Sequence, residues 1–168
     1  MPSILFVCTG NQFRSPIAAA AFLKKLNDEG GAEVWRVESA GTWAAVDQPP
    51  LPAALQAAAA CDLTLEGHKA RMVEDSILSS ADLILVMESG QREAIISEFP
   101  KVRKRVFLLS KVVEGIDYDI PDPLASEEYL TEEIAKEVCE LVSKGFRKIC
   151  DLAQHLSAQV DVPKTGSA

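Results

Sequence analysis

This 168-residue sequence contains few residues that bind metal ions or form disulfides. It contains two histidines, His68 and His155, and four cysteines, at positions 8, 61, 139 and 150, none of them spaced as C-x-x-C. Zinc sites and disulfide-rich folds need denser or paired ligands, so we expect no metal, no cofactor and no disulfide framework. Unpaired, widely spaced cysteines indicate a reducing compartment, and we therefore expect a cytoplasmic protein.

The sequence also lacks a long apolar run, a basic N-terminal segment and an excess of positive charge. With 17 Lys and Arg against 25 Asp and Glu, the formal net charge is −8. These features predict no membrane span, no signal peptide and no general binding to nucleic acid or acidic membranes. The length and the 48% of apolar residues are typical of one globular domain with a sizeable core.

One short stretch near the N-terminus concentrates the chemistry of the chain. Residues 3–7 form an apolar, β-branched run that predicts a buried strand. Ser15-Pro16, followed by an apolar run, predicts a helix start with Ser15 as the N-cap. The loop between them, residues 8–14, then lies at the carboxyl end of a strand and directs its backbone amides into a helix N-terminus. That arrangement predicts an anion-binding site.

The side chains of this loop suit a nucleophilic reaction at a phosphoryl group. The helix N-terminus and the Arg14 guanidinium favour the thiolate form of Cys8, which is a good nucleophile. Arg14 also has the planar geometry that binds two phosphoryl oxygens. Gly10 permits close approach of the backbone to an anion, Asn11 tolerates a left-handed turn, and the Ser15 hydroxyl is suited to donate to the thiolate.

The segment VCTGNQFRSP, residues 7–16, resembles the phosphate-binding loop of the low-molecular-weight protein tyrosine phosphatases. The resemblance implies that Cys8 is the nucleophile and that Arg14 clamps the phosphate. The other members of the phosphate-binding loop would be Thr9, Gly10, Asn11, Gln12, Phe13 and Ser15. Two further segments, Ser39 to Thr42 and Gly67 to Arg71, resemble the same family. Their resemblance implies that Ser39 and His68 brace the loop through hydrogen bonds.

Apolar patterning predicts that strands and helices alternate along the rest of the chain. Further strands are predicted at residues 33–38, 82–87 and 105–109, and helices at 16–28, 52–61, 73–79, 89–98 and 126–156. Such alternation is typical of an α/β fold, a doubly wound parallel sheet with helices on both faces. The resemblance implies the strand order 2-1-3-4. We expect one phosphatase domain over residues 1–156 and a mobile tail at 157–168.

Hydrolysis of an aryl phosphate needs a proton for the leaving oxygen and later a base that activates water. The loop at residues 116–123 contains three candidates, Asp117, Asp119 and Asp122, and their spacing does not distinguish among them. Asp122-Pro123 resembles the Asp-Pro that carries the general acid of the family. The resemblance therefore implies that Asp122 performs both roles.

Four positions bear on substrate choice and on protection of the nucleophile. Trp43 either packs on the aromatic ring of a substrate or covers the core. Leu124 stands where an aromatic residue commonly lines the pocket of the family. Gln12 stands where the arginine phosphatases of the family carry threonine. Phe13 stands where many members carry a second cysteine that traps an oxidised nucleophile as a reversible disulfide.

The resemblance implies a phosphatase that acts on phosphotyrosine in proteins, with a bacterial tyrosine kinase as one such partner. We expect a monomer or a weak dimer. Three alternatives stay open: an arginine phosphatase or an arsenate reductase on the same fold, and an inactive phosphate-binding module. An arsenate reductase needs further cysteines soon after the third strand, where this chain has Met87-Glu-Ser-Gly-Gln91. A binding module has no need of a general acid at position 122.

Overall fold

A four-stranded parallel sheet lies at the centre of the computed structural model, which describes residues 1–124 and 131–160. The strands are β1 (Ser3–Cys8), β2 (Arg36–Gly41), β3 (Leu83–Val86) and β4 (Val106–Leu108). Their order is β2-β1-β3-β4, which places β1 between β2 and β3. β1 pairs in parallel with both neighbours. The predicted fold class and strand order are confirmed.

Helices cover both faces of this sheet. Those among the described residues are α1 (Arg14–Asp28), α2 (Pro52–Ala60), α3 (Asp75–Ser80), α4 (Ser89–Glu98), α5 (Leu109–Glu114) and α6 (Thr131–Val160). Side chains alternate across a strand, so β1 contributes to two separate buried clusters. Phe6 and Cys8 pack with residues of α1, α2, α5 and α6, whereas Leu5 and Val7 pack with residues of α3 and α4. The carboxyl end of β1 therefore lies beneath the start of α1.

The second strand is displaced from the prediction at 33–38. Ala32–Val34 form a 3-10 turn, and β2 begins only at Arg36. Val34 is 55% exposed, while Trp35 packs edge-on against Phe22 with ring centroids 6.0 Å apart. The alternation that suggested a strand thus comes from one solvent-facing valine and one tryptophan that packs on a helix. As a consequence Ser39 lies within β2 and not after its end.

The first helix begins two residues earlier than predicted. α1 starts at Arg14, so Ser15 is its second residue and not its N-cap. Phe13 holds the N-cap position and makes no side-chain capping hydrogen bond. Pro16 is tolerated in the first turn because the N–H groups there have no intrahelical partner. The Ser15 hydroxyl is therefore available to the loop that precedes the helix.

Two differences concern the C-terminal third of the chain. The six-residue α5 was not predicted, and it is followed by Gly115 in the left-handed conformation, with φ 75°. α6 continues to Val160 and not only to Leu156, so residues 157–160 are helical. Residues 161–168 of the predicted tail, and the predicted helix start at 126–130, lie outside the described residues. No helix in the described part of the chain is both long and apolar enough to cross a membrane.

Close packing of α5 against α6 depends on Gly145. A Cβ at this position would lie 2.3 Å from Val113 Cγ2, and a helical valine has one strongly preferred rotamer. We expect Gly145→Ala to lower the free energy of unfolding by about 1–3 kcal/mol, as measured by urea denaturation. Gly90→Ala in α4 is the matched control, because a Cβ there meets no atom within 4 Å. Equal midpoints for the two variants would contradict this packing.

Candidate active site

The loop of residues 8–14 turns around the thiol of Cys8, the last residue of β1. The Asn11 backbone N–H donates to Cys8 Sγ at 3.3 Å, and Ser15 Oγ lies 3.0 Å from the same sulfur. Cys8 is buried, with only 2% of its surface exposed. Two polar groups and the start of α1 thus surround the sulfur, and this is an environment that stabilises a thiolate.

Asn11 ties the loop to two other segments of the chain. Its φ of 57° is left-handed, a conformation that asparagine adopts more readily than most residues. Its side-chain amide donates to Ser15 Oγ at 2.8 Å and to Ser39 Oγ at 3.0 Å. Its carbonyl groups accept from His68 Nε2 at 2.7 Å and from the Arg71 backbone N–H at 3.0 Å. The structure therefore brings Ser39 and His68 to the loop through Asn11.

These contacts orient the Ser15 hydroxyl. Ser15 Oγ accepts a proton from the Asn11 amide, so its own proton is available to an acceptor. Cys8 Sγ lies at 3.0 Å, closer than the other acceptor, the Ala40 carbonyl at 3.4 Å. A thiolate at Cys8 would therefore receive the Ser15 proton as a charge-assisted hydrogen bond.

Arg14 is almost fully buried, with a side chain that is 2% exposed. A guanidinium in such surroundings needs compensating negative charge. Its Nη1 pairs with Glu88 Oε1 at 3.0 Å and donates to the Ile120 carbonyl at 2.8 Å. Its Nη2 lies 3.6 Å from Asp122 Oδ2. The carboxyl end of β3 and the loop after α5 thus both contribute to holding this one cation.

Sequence reasoning missed Glu88 and Gln91, which connect α4 to the loop. The Gln91 side-chain oxygen accepts from the backbone N–H groups of Met87 and Glu88 at 2.9 and 3.0 Å. Its amide donates to Thr9 Oγ1 at 3.1 Å and to Glu88 Oε2 at 3.2 Å. One buried amide therefore contacts both the loop and the carboxylate that pairs with Arg14. Glu88 and Gln91 form a capping box at the start of α4, a local pattern that marks a helix start but does not indicate a contact with the loop.

The structure separates the three aspartates that spacing did not distinguish. Asp117 is 70% exposed and pairs only loosely with Lys111, at 3.7 Å. Asp119 accepts the Ser89 backbone N–H at 2.8 Å. Asp122 lines the same pocket as Cys8 and Arg14, and its Oδ1 accepts the Leu124 backbone N–H at 2.9 Å. Of the three, Asp122 is the one within reach of a group bound above Cys8.

The pocket above Cys8 is small, about 40 Å³, and Leu124 forms part of its rim. Gly10 also lines it, and a Cβ at Gly10 would meet no atom within 4 Å. Trp43 is 81% exposed and is not among the described residues that line this pocket. The interpretation of Trp43 as a cover for the core is therefore wrong. Its side chain is exposed to solvent, and its backbone N–H donates to the Thr9 carbonyl of the loop.

Gln12 and Phe13 are fixed by different contacts. The Gln12 amide donates to the Pro49 carbonyl at 2.8 Å, and the Gln12 carbonyl accepts the Leu51 N–H at 3.1 Å. Phe13 is buried in the cluster that also contains Phe6 and residues of α1, α2, α5 and α6. The segment before α2 is thus joined to the middle of the loop.

The remaining cysteines lie away from this pocket. Burial, together with a hydrogen bond that the Cys139 thiol donates to Cys61, raises the pKa of Cys139 to about 12. Burial also raises the pKa of Cys150 to about 11. Both thiols are therefore poor nucleophiles near neutral pH. Among the described residues, no group of three or more His, Cys, Asp and Glu side chains is placed to hold a metal ion.

Comparison with known proteins gives a consistent result. Residues 3–162 match the family model described as low molecular weight phosphotyrosine protein phosphatase. The chain is 34% identical over 146 residues to a protein-arginine-phosphatase of Bacillus subtilis, covering 87% of this chain and 95% of that protein. It is 37% identical over 121 residues to the low molecular weight protein-tyrosine-phosphatase Wzb of Escherichia coli K12, covering 72% and 77% of the two chains.

A solved structure agrees with the same grouping. The low molecular weight protein tyrosine phosphatase from T. tengcongensis superposes with a TM-score of 0.79 at 28% identity. The match covers 88% of this chain and 99% of that one.

Contact between β2 and the loop requires the absence of a side chain at Gly41. A Cβ there would lie 2.4 Å from the Thr9 carbonyl oxygen and 3.1 Å from the Asn11 backbone nitrogen. We expect Gly41→Ala to displace the loop and to weaken binding of inorganic phosphate by about tenfold or more, as measured by calorimetry. Gly31→Ala is the control, because a Cβ there meets no atom within 4 Å and the residue lies outside the loop and the pocket. Unchanged phosphate affinity in Gly41→Ala would contradict this assignment.

Proposed function

The chain belongs to the low molecular weight phosphotyrosine protein phosphatase family, and on that basis we propose that it hydrolyses phosphotyrosine in proteins through a phosphocysteine intermediate. One observation carries the proposal. The Cys8 thiol, the buried Arg14 guanidinium and the Asp122 carboxylate converge on a single pocket. A nucleophile, an oxyanion clamp and a proton donor are the three parts that this reaction needs.

In the first step the Cys8 thiolate attacks phosphorus in line with the ester oxygen. The P–S bond forms as the P–O bond to the tyrosine ring breaks, and the leaving oxygen takes the proton of Asp122 in its acid form. Arg14 and the loop amides bind the equatorial oxygens and offset the charge of the transition state. The phosphoryl group takes the place of the Asp122 carboxylate at Arg14 Nη2 when the substrate binds, before Asp122 acts in its acid form.

In the second step a water molecule attacks the phosphocysteine. Asp122, now a carboxylate, accepts a proton from that water as the new P–O bond forms. The P–S bond breaks, inorganic phosphate is released, and the electron pair returns to Cys8 as a thiolate. The Ser15 hydroxyl, 3.0 Å from the sulfur, stabilises this leaving group.

Phosphotyrosine in a protein is the substrate that we propose, and a tyrosine-phosphorylated protein such as a bacterial tyrosine kinase is the partner. Leu124 lines the pocket, and exposed Trp43, whose N–H donates to the Thr9 carbonyl of the loop, adds apolar surface for an aromatic ring and its flanking residues. Phosphoarginine is the second candidate, because the Bacillus subtilis relative has that activity in its name. Gln12 does not favour it, since the arginine phosphatases of the family are expected to carry threonine there.

Two other functions receive less support. An arsenate reductase needs a second thiol near the nucleophile, and among the described residues that line the pocket Cys8 is the only cysteine. An inactive phosphate-binding module needs the loop and Arg14, but it gains nothing from a carboxylate that competes for Arg14.

Turnover by the wild type and three variants tests the proposal. With phosphotyrosine and phosphoarginine peptides of the same sequence, we expect the wild type to prefer phosphotyrosine. Cys8→Ser should show no measurable turnover, and Asp122→Asn should lower kcat by about 10²- to 10⁴-fold because the leaving oxygen loses its acid. Asp117→Asn, in the same loop, is the control and should retain wild-type activity.

Each other outcome favours a named alternative. A preference for the phosphoarginine peptide would replace the substrate while keeping the mechanism. Phosphate binding by the wild type without turnover on either peptide would sink the enzyme proposal and favour the binding module.

Phe13 predicts poor recovery from oxidation. Without a thiol at that position, a sulfenic acid at Cys8 has no adjacent partner and proceeds to the irreversible sulfinic acid. We expect peroxide-treated wild type to regain little activity on addition of dithiothreitol. In Phe13→Cys, the new thiol should condense with the sulfenic acid, releasing water, and the resulting disulfide should be reducible. Full recovery of the wild type would contradict the expectation.

A further inference from the structure

The segment that carries Asp122 is attached to the rest of the site at several points. We call residues 118–122 the acid loop. Ser110 Oγ donates to the Tyr118 carbonyl at 2.7 Å, and the Tyr118 N–H donates to Ser110 Oγ at 3.2 Å. The Ile120 N–H donates to the Met87 carbonyl at 2.9 Å, and the Ile120 carbonyl accepts from Arg14 Nη1 at 2.8 Å. Backbone groups therefore hold most of the acid loop.

The Asp119 side chain also attaches the acid loop, at a point away from Arg14. Asp119 Oδ1 accepts the backbone N–H of Ser89, the first residue of the ten-residue α4, at 2.8 Å. A carboxylate is favoured there, because a helix N-terminus carries partial positive charge and unpaired N–H groups. The residue before Ser89 is Glu88, which pairs with Arg14. The start of α4 thus contacts Arg14 through one residue and the acid loop through the next.

We propose that Asp119 is a positioning residue that holds Asp122 over the nucleophile by fixing the acid loop to the N-terminus of α4. The inference rests on the proposed function of Asp122 as acid and base. Asp119 is absent from the described lining of the pocket, so it acts through Asp122 and not on the substrate. Only two residues separate the two aspartates, and a displacement at Asp119 is therefore transmitted to Asp122.

Asp117 provides a natural control for this proposal. It immediately precedes the acid loop, has the same side chain as Asp119, and is 70% exposed with only a 3.7 Å contact to Lys111. Its replacement removes the same charge near the site without removing the contact to α4. Asp119→Asn keeps a side-chain oxygen that can accept the Ser89 N–H, and it therefore separates the hydrogen bond from the charge.

The decisive measurement is kcat/KM for a series of aryl phosphates that differ in leaving-group basicity. Loss of a correctly placed acid matters most when the leaving oxygen is basic. For Asp119→Ala we expect a fall of about 10- to 100-fold with phenyl phosphate and a much smaller fall with p-nitrophenyl phosphate. Asp117→Ala should match the wild type throughout, and Asp119→Asn should restore most of the loss. The inhibition constant of inorganic phosphate should not increase in any of these variants.

A second readout does not depend on turnover. Hydrogen exchange at the Ser89 amide and across the acid loop should be faster in Asp119→Ala than in Asp119→Asn or Asp117→Ala. An equal fall with every aryl phosphate, or unchanged exchange, would overturn the positioning role. Absence of turnover by the wild type itself would instead overturn the proposed function, and the exchange measurement would still test the attachment of the acid loop.

Discussion

The burial of one positive charge governs the arrangement of this site. Arg14 lies at the start of α1 with almost no solvent contact, and a lone guanidinium there would be strongly unfavourable. Glu88 and Asp122 compensate that charge from two different elements, and the Ile120 carbonyl takes a further N–H. The positions of α4 and of the loop after α5 relative to β1 are therefore fixed by the same cation that is suited to hold a phosphoryl group.

The loop around Cys8 has a comparable internal logic. Asn11 adopts a left-handed backbone conformation and uses both its side chain and its carbonyl to reach Ser15, Ser39 and His68. These partners come from α1, β2 and the segment before α3, so the loop conformation is set by tertiary contacts as well as by its own residues. Gly41 permits the closest of these approaches, because any side chain there would collide with the Thr9 carbonyl.

The sequence predicts those features that are set by residues close together along the chain. The strand, loop and helix around Cys8 are contiguous, and the alternation of strands and helices indicated the parallel sheet. β2 was misplaced because the apolar character of Val34 and Trp35 does not reveal that Val34 faces solvent and that Trp35 packs on a helix. The roles of Glu88 and Gln91 depend on contacts with Arg14 and Thr9, which lie 74 and 82 positions away in the sequence, and no spacing rule covers such contacts. Asp117, Asp119 and Asp122 are of one residue type and differ only in the residues that they contact in the folded chain.

The contact between Asp122 and Arg14 makes the carboxylate a tethered competitor for anions. A carboxylate fixed to the same chain is present at the guanidinium at a high effective concentration, whereas a phosphate ion must arrive from solution. Any anion that enters the pocket must displace the Asp122 carboxylate from Arg14, and the net affinity of the site for that anion is lowered accordingly. In a reaction that ends with inorganic phosphate in the pocket, the returning carboxylate favours departure of the product.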